Sequence, residues 1–278
     1  METQRVSIGA LTFTVDTAGP RDGAPVLLLH GFPETRHMWR HALAALAKAG
    51  YHGIAPDQRG YSEGARPPKT EDYATDLLVT DAVSLAAALG SQRFHLVGHD
   101  WGGQIAWLIA AQHPERVQSL FVLSRPHPAA FAKAMQEDEA QAERSRHHRA
   151  FRNDDAITRM RQANLAPLRK AMIDQGVPAD GADIYVRALL GPGAIEGAMS
   201  WYRASNIAAA STPAVTVPTT YVWGTADATV GRRAAELTAD FVRGPYRFEI
   251  LEDAGHFSVD QFPGRISELL LAHLRTYG

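Results

Sequence analysis

Along the first part of the chain, apolar positions alternate between a strand rhythm and a helix rhythm. "VSIG" and "LTFTVD" read as an opening hairpin with Gly9 and Ala10 at its turn. "PVLLLH" (Pro25 to His30) is a continuous apolar run, the pattern of a strand buried on both faces. Trp39, Leu43 and Leu46 then recur at i, i+4 and i+7 and mark a helix. "YHGIAPD" is a short strand. Leu78, Ala82, Leu85 and Leu89 mark a second helix, closed by Gly90. "FHLVG", "GGQIAWLIAAQ" and "VQSLFVLS" continue as strand, helix and strand. This βαβαβ succession predicts an α/β fold with a mostly parallel, doubly wound sheet.

The rhythm breaks near Pro126. From about Pro128 to Ser211 the sequence shows no clear strand. "AMQEDEAQAERSRHHRAFRNDD" is strongly charged and helical in composition, and short helices follow, broken by Pro167, Pro178 and Pro192. Strand signals return at "PTTYVWG" and "YRFEILED", each followed by a helix. The expected organisation is a core in two parts, 1–127 and 213–278, interrupted by a helical insert over 128–212.

Composition narrows the function classes. Hydrophobic content of 45% and charged content of 21% over 278 residues are ordinary for a globular protein with a substantial core. A net charge of −2 argues against a nucleic-acid partner. With no cysteines there are no disulfides, thiolate metal sites or cysteine nucleophiles. "METQRVSIGALTF" has no apolar signal-peptide core, and no stretch approaches the ~18 apolar residues of a membrane span. The expectation is a cytoplasmic protein that does not enter a membrane. The 12 histidines show no H-E-x-x-H spacing, and there is no G-x-G-x-x-G or P-loop, so neither metal nor nucleotide cofactor is expected.

The chemistry concentrates at three strand ends. "GHDWGG" has the spacing of a G-x-S-x-G strand–turn–helix elbow, with Asp100 at the serine position. The turn needs small flanking residues, supplied by Gly98, Gly102 and Gly103. An apex residue there is strained and projects above the sheet. An Asp that merely caps the next helix is the simpler alternative for Asp100 alone. "HGFPE" follows a strand and can offer one backbone N–H of an oxyanion hole; the other belongs to Trp101. Pro33 invites a cis bond, and His30 is expected to shape the loop. Asp227 follows the strand "YVWG", and His256 follows the last strand, where open α/β sheets bind ligands. Nucleophile, acid and histidine thus appear in the chain order of the hydrolase elbow architecture. Asp253 and Asp260 compete for the acid role by proximity to His256 alone.

The sequence resembles the α/β-hydrolase-fold epoxide hydrolases. "HGFPE", "GHDWGG", "DQRGYSEGARP" and "SWYR" carry the resemblance, which covers nearly the whole chain. It implies an α/β-hydrolase fold with a helical lid, and hydrolysis of a small-molecule epoxide to a vicinal diol. A carboxylate is a usable nucleophile at saturated carbon and forms an alkyl ester. Water activated by His256 and oriented by Asp227 would hydrolyse the ester on Asp100. The N–H groups of Phe32 and Trp101 would hold the oxyanion. The family polarises the epoxide oxygen with two lid tyrosines. Tyr202 matches one, on a helix face shared with Ile195 and Met199. At the other position stands His147, with His148 as the alternative register; an imidazole N–H can also donate. "DQRGYSEGARP", with Arg59, is expected to be structural. A haloalkane or haloacid dehalogenase using the same aspartate is the nearest alternative. A non-hydrolytic ligand-binding protein or cyclase on this fold is the next.

Overall fold

A computed structural model describes residues 1–205 and 212–278. Residues 206–211, near the end of the expected insert, lie outside the described residues. One eight-stranded sheet organises the chain: β1 (Glu2–Ile8), β2 (Leu11–Ala18), β3 (Pro25–Leu29), β4 (His52–Pro56), β5 (Phe94–His99), β6 (Val117–Leu123), β7 (Thr219–Gly224) and β8 (Tyr246–Leu251). Their order is β1-β2-β4-β3-β5-β6-β7-β8. β1 and β2 form the expected hairpin, with Ile8 opposite Leu11 and Gly9 at positive φ. β2 also runs antiparallel to β4, while every other neighbouring pair is parallel.

The apolar run of β3 is explained by its central place. Val26 to Leu29 are fully buried between β4 and β5. Burying each such leucine contributes about 1.5–3 kcal/mol relative to exposure. From β3 the chain turns one way to β4 and later returns to β3's other side as β5. The loops leaving β3 and β5 therefore diverge and open a crevice at the strands' C-terminal ends.

Between the strands of the first half lie α1 (Arg40–Lys48), α2 (Thr75–Ala88) and α3 (Asp100–Gln112). Between β6 and β7 come α4 (Pro128–Glu137), α5 (Glu139–Arg144), α6 (Arg146–Ala150), α7 (Asp154–Gln162), α8 (Ala166–Asp174), α9 (Ala179–Leu189) and α10 (Ala194–Ala204). No strand interrupts them among the described residues. α11 (Arg232–Leu237), α12 (Ser258–Gln261) and α13 (Pro263–Tyr277) complete the chain. α1 packs on α13, and α2 on α3. Among the described residues no helix is long and apolar enough to cross a membrane.

Two sequence expectations need correction. Pro167 does not break a helix; it sits in the first turn of α8, where its missing N–H costs nothing. The break comes just before it, at Asn164 and Leu165, both at positive φ. α10 is buried on nearly all sides rather than on one face. Its Gly197 meets Gly60 backbone to backbone: a Cβ on Gly197 would lie 2.7 Å from the Gly60 Cα. The Trp201 indole donates to the Arg59 carbonyl at 2.9 Å. Arg59 in turn forms a buried two-pronged pair with Asp81, at 2.6 and 2.8 Å. "DQRG" is thus the seat on which α10 rests, in keeping with the structural part expected of it.

Candidate active site

The elbow is built as its spacing implies, for a more specific reason. Asp100 has φ +49, a strained conformation for a residue with a side chain. The flanking glycines are required by close approach, not by unusual dihedrals. A Cβ on Gly98 would lie 2.5 Å from the Gly102 oxygen, and one on Gly102 would lie 2.1 Å from the Leu29 oxygen. Asp100 is not the helix cap; His99 occupies that position, and Asp100 begins α3. Its Oδ1 accepts from the Phe32 N–H at 3.0 Å. Trp101, second in the helix, has an N–H outside the intrahelical ladder.

The Phe32–Pro33 bond is cis. His30 is fully buried: its Nδ1–H donates to the Gly31 carbonyl, and its Nε2 accepts from the Gln58 N–H. These bonds tie the loop to the chain after β4 and match the shaping role expected of His30.

Asp227 and His256 converge on Asp100 from β7 and β8. His256 Nδ1 lies 3.2 Å from Asp227 Oδ2, and its Nε2 lies 3.6 Å from Asp100 Oδ2. Burial disfavours charge on the imidazole, but the two flanking carboxylates outweigh it and lift its pKa well above the ordinary range. Burial likewise opposes the charge on Asp100. The hydrogen bond and charge of His256 prevail and hold Asp100 below the usual carboxylate range. Asp227 is lowered too, His256 again overcoming burial. The competing acids are occupied or remote. Asp260 binds Arg40 at 2.8 Å and accepts from the Tyr185 hydroxyl at 2.7 Å. Asp253 is exposed, its N–H on Thr225.

Three groups missed in the sequence complete the surroundings. The Thr229 hydroxyl sits 2.7 Å from His256 Nδ1. Gln141 of α5 clamps the acid loop, donating to the Thr229 carbonyl and accepting from the Gly231 N–H. Beneath the site, fully buried Glu34 pairs with His99 Nδ1 at 2.7 Å, and His99 Nε2–H donates to the His256 carbonyl at 2.8 Å. The glutamate of "HGFPE" was visible in the motif; its partner was not.

Asp100, Thr229 and His256 open onto a cavity of about 320 Å³, lined also by Phe32, Phe151, Met172, Tyr202, His147 and Arg144. Tyr202 is 3% exposed and stands edge-on to Trp101 at 5.0 Å between ring centres. Burial, then the Asp100 charge, raises its phenol pKa well above normal, so it stays protonated. His147 reaches the cavity, whereas His148 packs beside Trp101, Phe131 and Tyr202. His147 Nδ1–H donates to the Arg144 carbonyl at 3.0 Å, and burial lowers its pKa. Its neutral ring therefore presents Nε2 as an acceptor. The sequence expected a donor there, and the ring donates from Nε2 only when protonated. The Trp101 indole N–H is buried beside the Tyr202 phenol without a hydrogen bond of normal geometry. Among the described residues no group of three or more His, Cys, Asp or Glu is arranged to hold a metal ion.

A family model for the α/β hydrolase fold matches residues 24–263. Epoxide hydrolase 4 of Mus musculus is 34% identical over 284 residues, spanning 98% of this chain and 78% of the mouse protein. Epoxide hydrolase A of Mycobacterium tuberculosis is 33% identical, over 94% of this chain and 96% of its own. The crystal structure of a Bacillus megaterium epoxide hydrolase with an inhibitor superposes with a TM-score of 0.90 at 26% identity, covering 98% of this chain and all of that one. The fold, the elbow with its carboxylate and these likenesses agree: the chain belongs to the α/β-hydrolase-fold epoxide hydrolase family, enzymes that hydrolyse ether bonds.

Proposed function

We propose that the protein converts a small-molecule epoxide to a vicinal diol through an ester on Asp100. The observation that carries this reading is a strained elbow carboxylate facing the same cavity as a protonated, buried phenol, Tyr202. Helices α4–α10 act as a lid within the 128–212 insert, between core parts 1–127 and 213–278.

Asp100 Oδ1 is held by the Phe32 N–H, which leaves Oδ2 to attack an epoxide carbon. The C–O bond of the ring breaks, and the developing alkoxide takes a proton from the Tyr202 phenol. His147 assists only when its ring is protonated. Alkylation also converts Asp100 from an anion to a neutral ester. One of the two carboxylates that hold the proton on His256 is thereby removed, and the imidazole becomes a weaker acid-holder and a usable base. Its proton replaces the one that Tyr202 gave up, so the step balances: epoxide, carboxylate and imidazolium give hydroxy-ester and imidazole. His256 Nε2 then takes a proton from water, which attacks the ester carbon. The oxyanion forms on Oδ1, facing the N–H groups of Phe32 and Trp101. Collapse releases the diol and restores the Asp100 anion and the His256 cation.

The test is a single turnover in heavy-oxygen water. Label in Asp100 and not in the diol is expected; label entering the diol directly removes Asp100 from its role. The buried Trp101 indole N–H, which makes no hydrogen bond of normal geometry, favours one second reading, in which it binds a leaving halide. Halide release from a haloalkane, measured beside diol formation, separates the two.

A further inference from the structure

Thr229 lies two residues beyond Asp227, and its side chain fills the space between the acid and the ring. Its Oγ1 is 2.8 Å from Asp227 Oδ1 and 2.7 Å from His256 Nδ1, closer to the ring nitrogen than Asp227 Oδ2 at 3.2 Å. A hydroxyl has one proton to give. The ionised carboxylate can only accept, so that proton goes to Asp227 Oδ1. The contact with the ring is then Nδ1–H donating to the hydroxyl oxygen. Asp227 Oδ1 accepts from the Thr229 and Val230 N–H groups as well, at 2.7 and 3.0 Å. The hydroxyl is well held, because Gln141 fixes the Thr229 carbonyl and Arg144 donates to the Asp227 carbonyl at 2.8 Å.

We propose that Thr229 is a positioning residue of the hydrolytic step: its hydroxyl shares the His256 Nδ1–H with Asp227 and makes Nε2 the nitrogen that loses its proton when Asp100 is alkylated. The inference rests on the reading of His256 as the base. An imidazolium has two N–H groups, and only a bare Nε2 faces the ester. Two acceptors on the Nδ1 side retain that proton, one of them carrying the carboxylate's charge through a hydroxyl. Other charged groups meet the ring elsewhere: Asp100 faces Nε2, and His99, paired to Glu34, packs against it at 5.0 Å between ring centres. None of these reaches Nδ1.

The experiment compares Thr229→Val, which keeps the shape and the backbone N–H, with Thr229→Ser, which restores the hydroxyl. With an epoxide that wild type turns over, rapid-quench mass spectrometry follows formation and decay of the Asp100 adduct. Thr229→Val should alkylate within about twofold of wild type and lose the ester about tenfold more slowly, the effect of roughly one net hydrogen bond. The pH limb of ester decay should move to lower pH, because the ring has lost an acceptor that favours its cation. Thr229→Ser should recover both rate and pH limb. In Asp227→Asn the hydroxyl still offers an acceptor, so Asp227→Asn/Thr229→Val should be slower in decay than either single variant. Wild-type decay and pH limb in Thr229→Val would overturn the proposal, as would a Thr229→Ser variant as slow as Thr229→Val. Wild-type enzyme that sends heavy-oxygen label from water into the diol and none into Asp100 would instead overturn the underlying ester reading, whatever Thr229 does.

Discussion

Gly31 provides a direct test of how tightly the nucleophile is held. A Cβ placed on Gly31 would lie 2.5 Å from the Asp100 Cβ and 2.7 Å from its Oδ1. Carbon atoms in ordinary contact sit about 3.5–4.0 Å apart, so roughly 1 Å of movement is needed. Asp100 has little room to yield. Its backbone is already strained, and Gly102 behind it lies where any Cβ would strike the Leu29 oxygen. The loop would have to move instead, carrying the Phe32 N–H off Oδ1. A misplacement of about 1 Å costs about 10²-fold in rate, and the overpacking itself costs about 1–3 kcal/mol of stability. Gly31→Ala should therefore form the Asp100 adduct about a hundredfold more slowly while remaining folded. Adduct formation by quench-flow mass spectrometry, with thermal unfolding alongside, measures both. A folded Gly31→Ala protein that alkylates at the wild-type rate would refute the reasoning.

Four further outcomes are expected. Tyr202→Phe should slow alkylation by ~10²–10³ and leave decay of a preformed ester unchanged; because burial lowers the His147 pKa, His147→Phe should slow alkylation only at pH below the ordinary imidazole range, and a pH series of adduct formation checks both. Asp81→Ala strands the buried Arg59 cation and should cost about 3–5 kcal/mol, read by urea unfolding. His273, buried against Ser119 and Thr220, has its pKa lowered to about 3 by burial, so the folded state resists its protonation. Relative to His273→Gln, wild type should lose about 2 kcal/mol as the pH falls from 7.5 to 5, whereas a pH-independent difference would contradict the assignment.

What the sequence determined by itself is what depends on neighbours along the chain. Val26 to Leu29 read as a central strand because a continuous apolar run needs cover on both faces. Asp100 was legible because the elbow's constraints fall within five residues, Gly98 to Gly102. Asp227 and His256 were legible because each follows a strand signal, and parallel strands bring their C-terminal ends to one edge. Only the tertiary structure decided how side chains far apart in sequence satisfy one another. Asp260 is only four residues from His256 in sequence, yet Arg40 and Tyr185 occupy it. Arg59 gained its meaning from Asp81 and from Trp201 of α10. His147 was expected to donate, and the carbonyl of Arg144 set its tautomer the other way. Thr229 gave no signal at all, because a threonine in a loop is ordinary until Asp227, His256 and Gln141 close around it. The reason is physical: periodicity and turn chemistry are local, but a buried polar atom must find a partner wherever the fold supplies one.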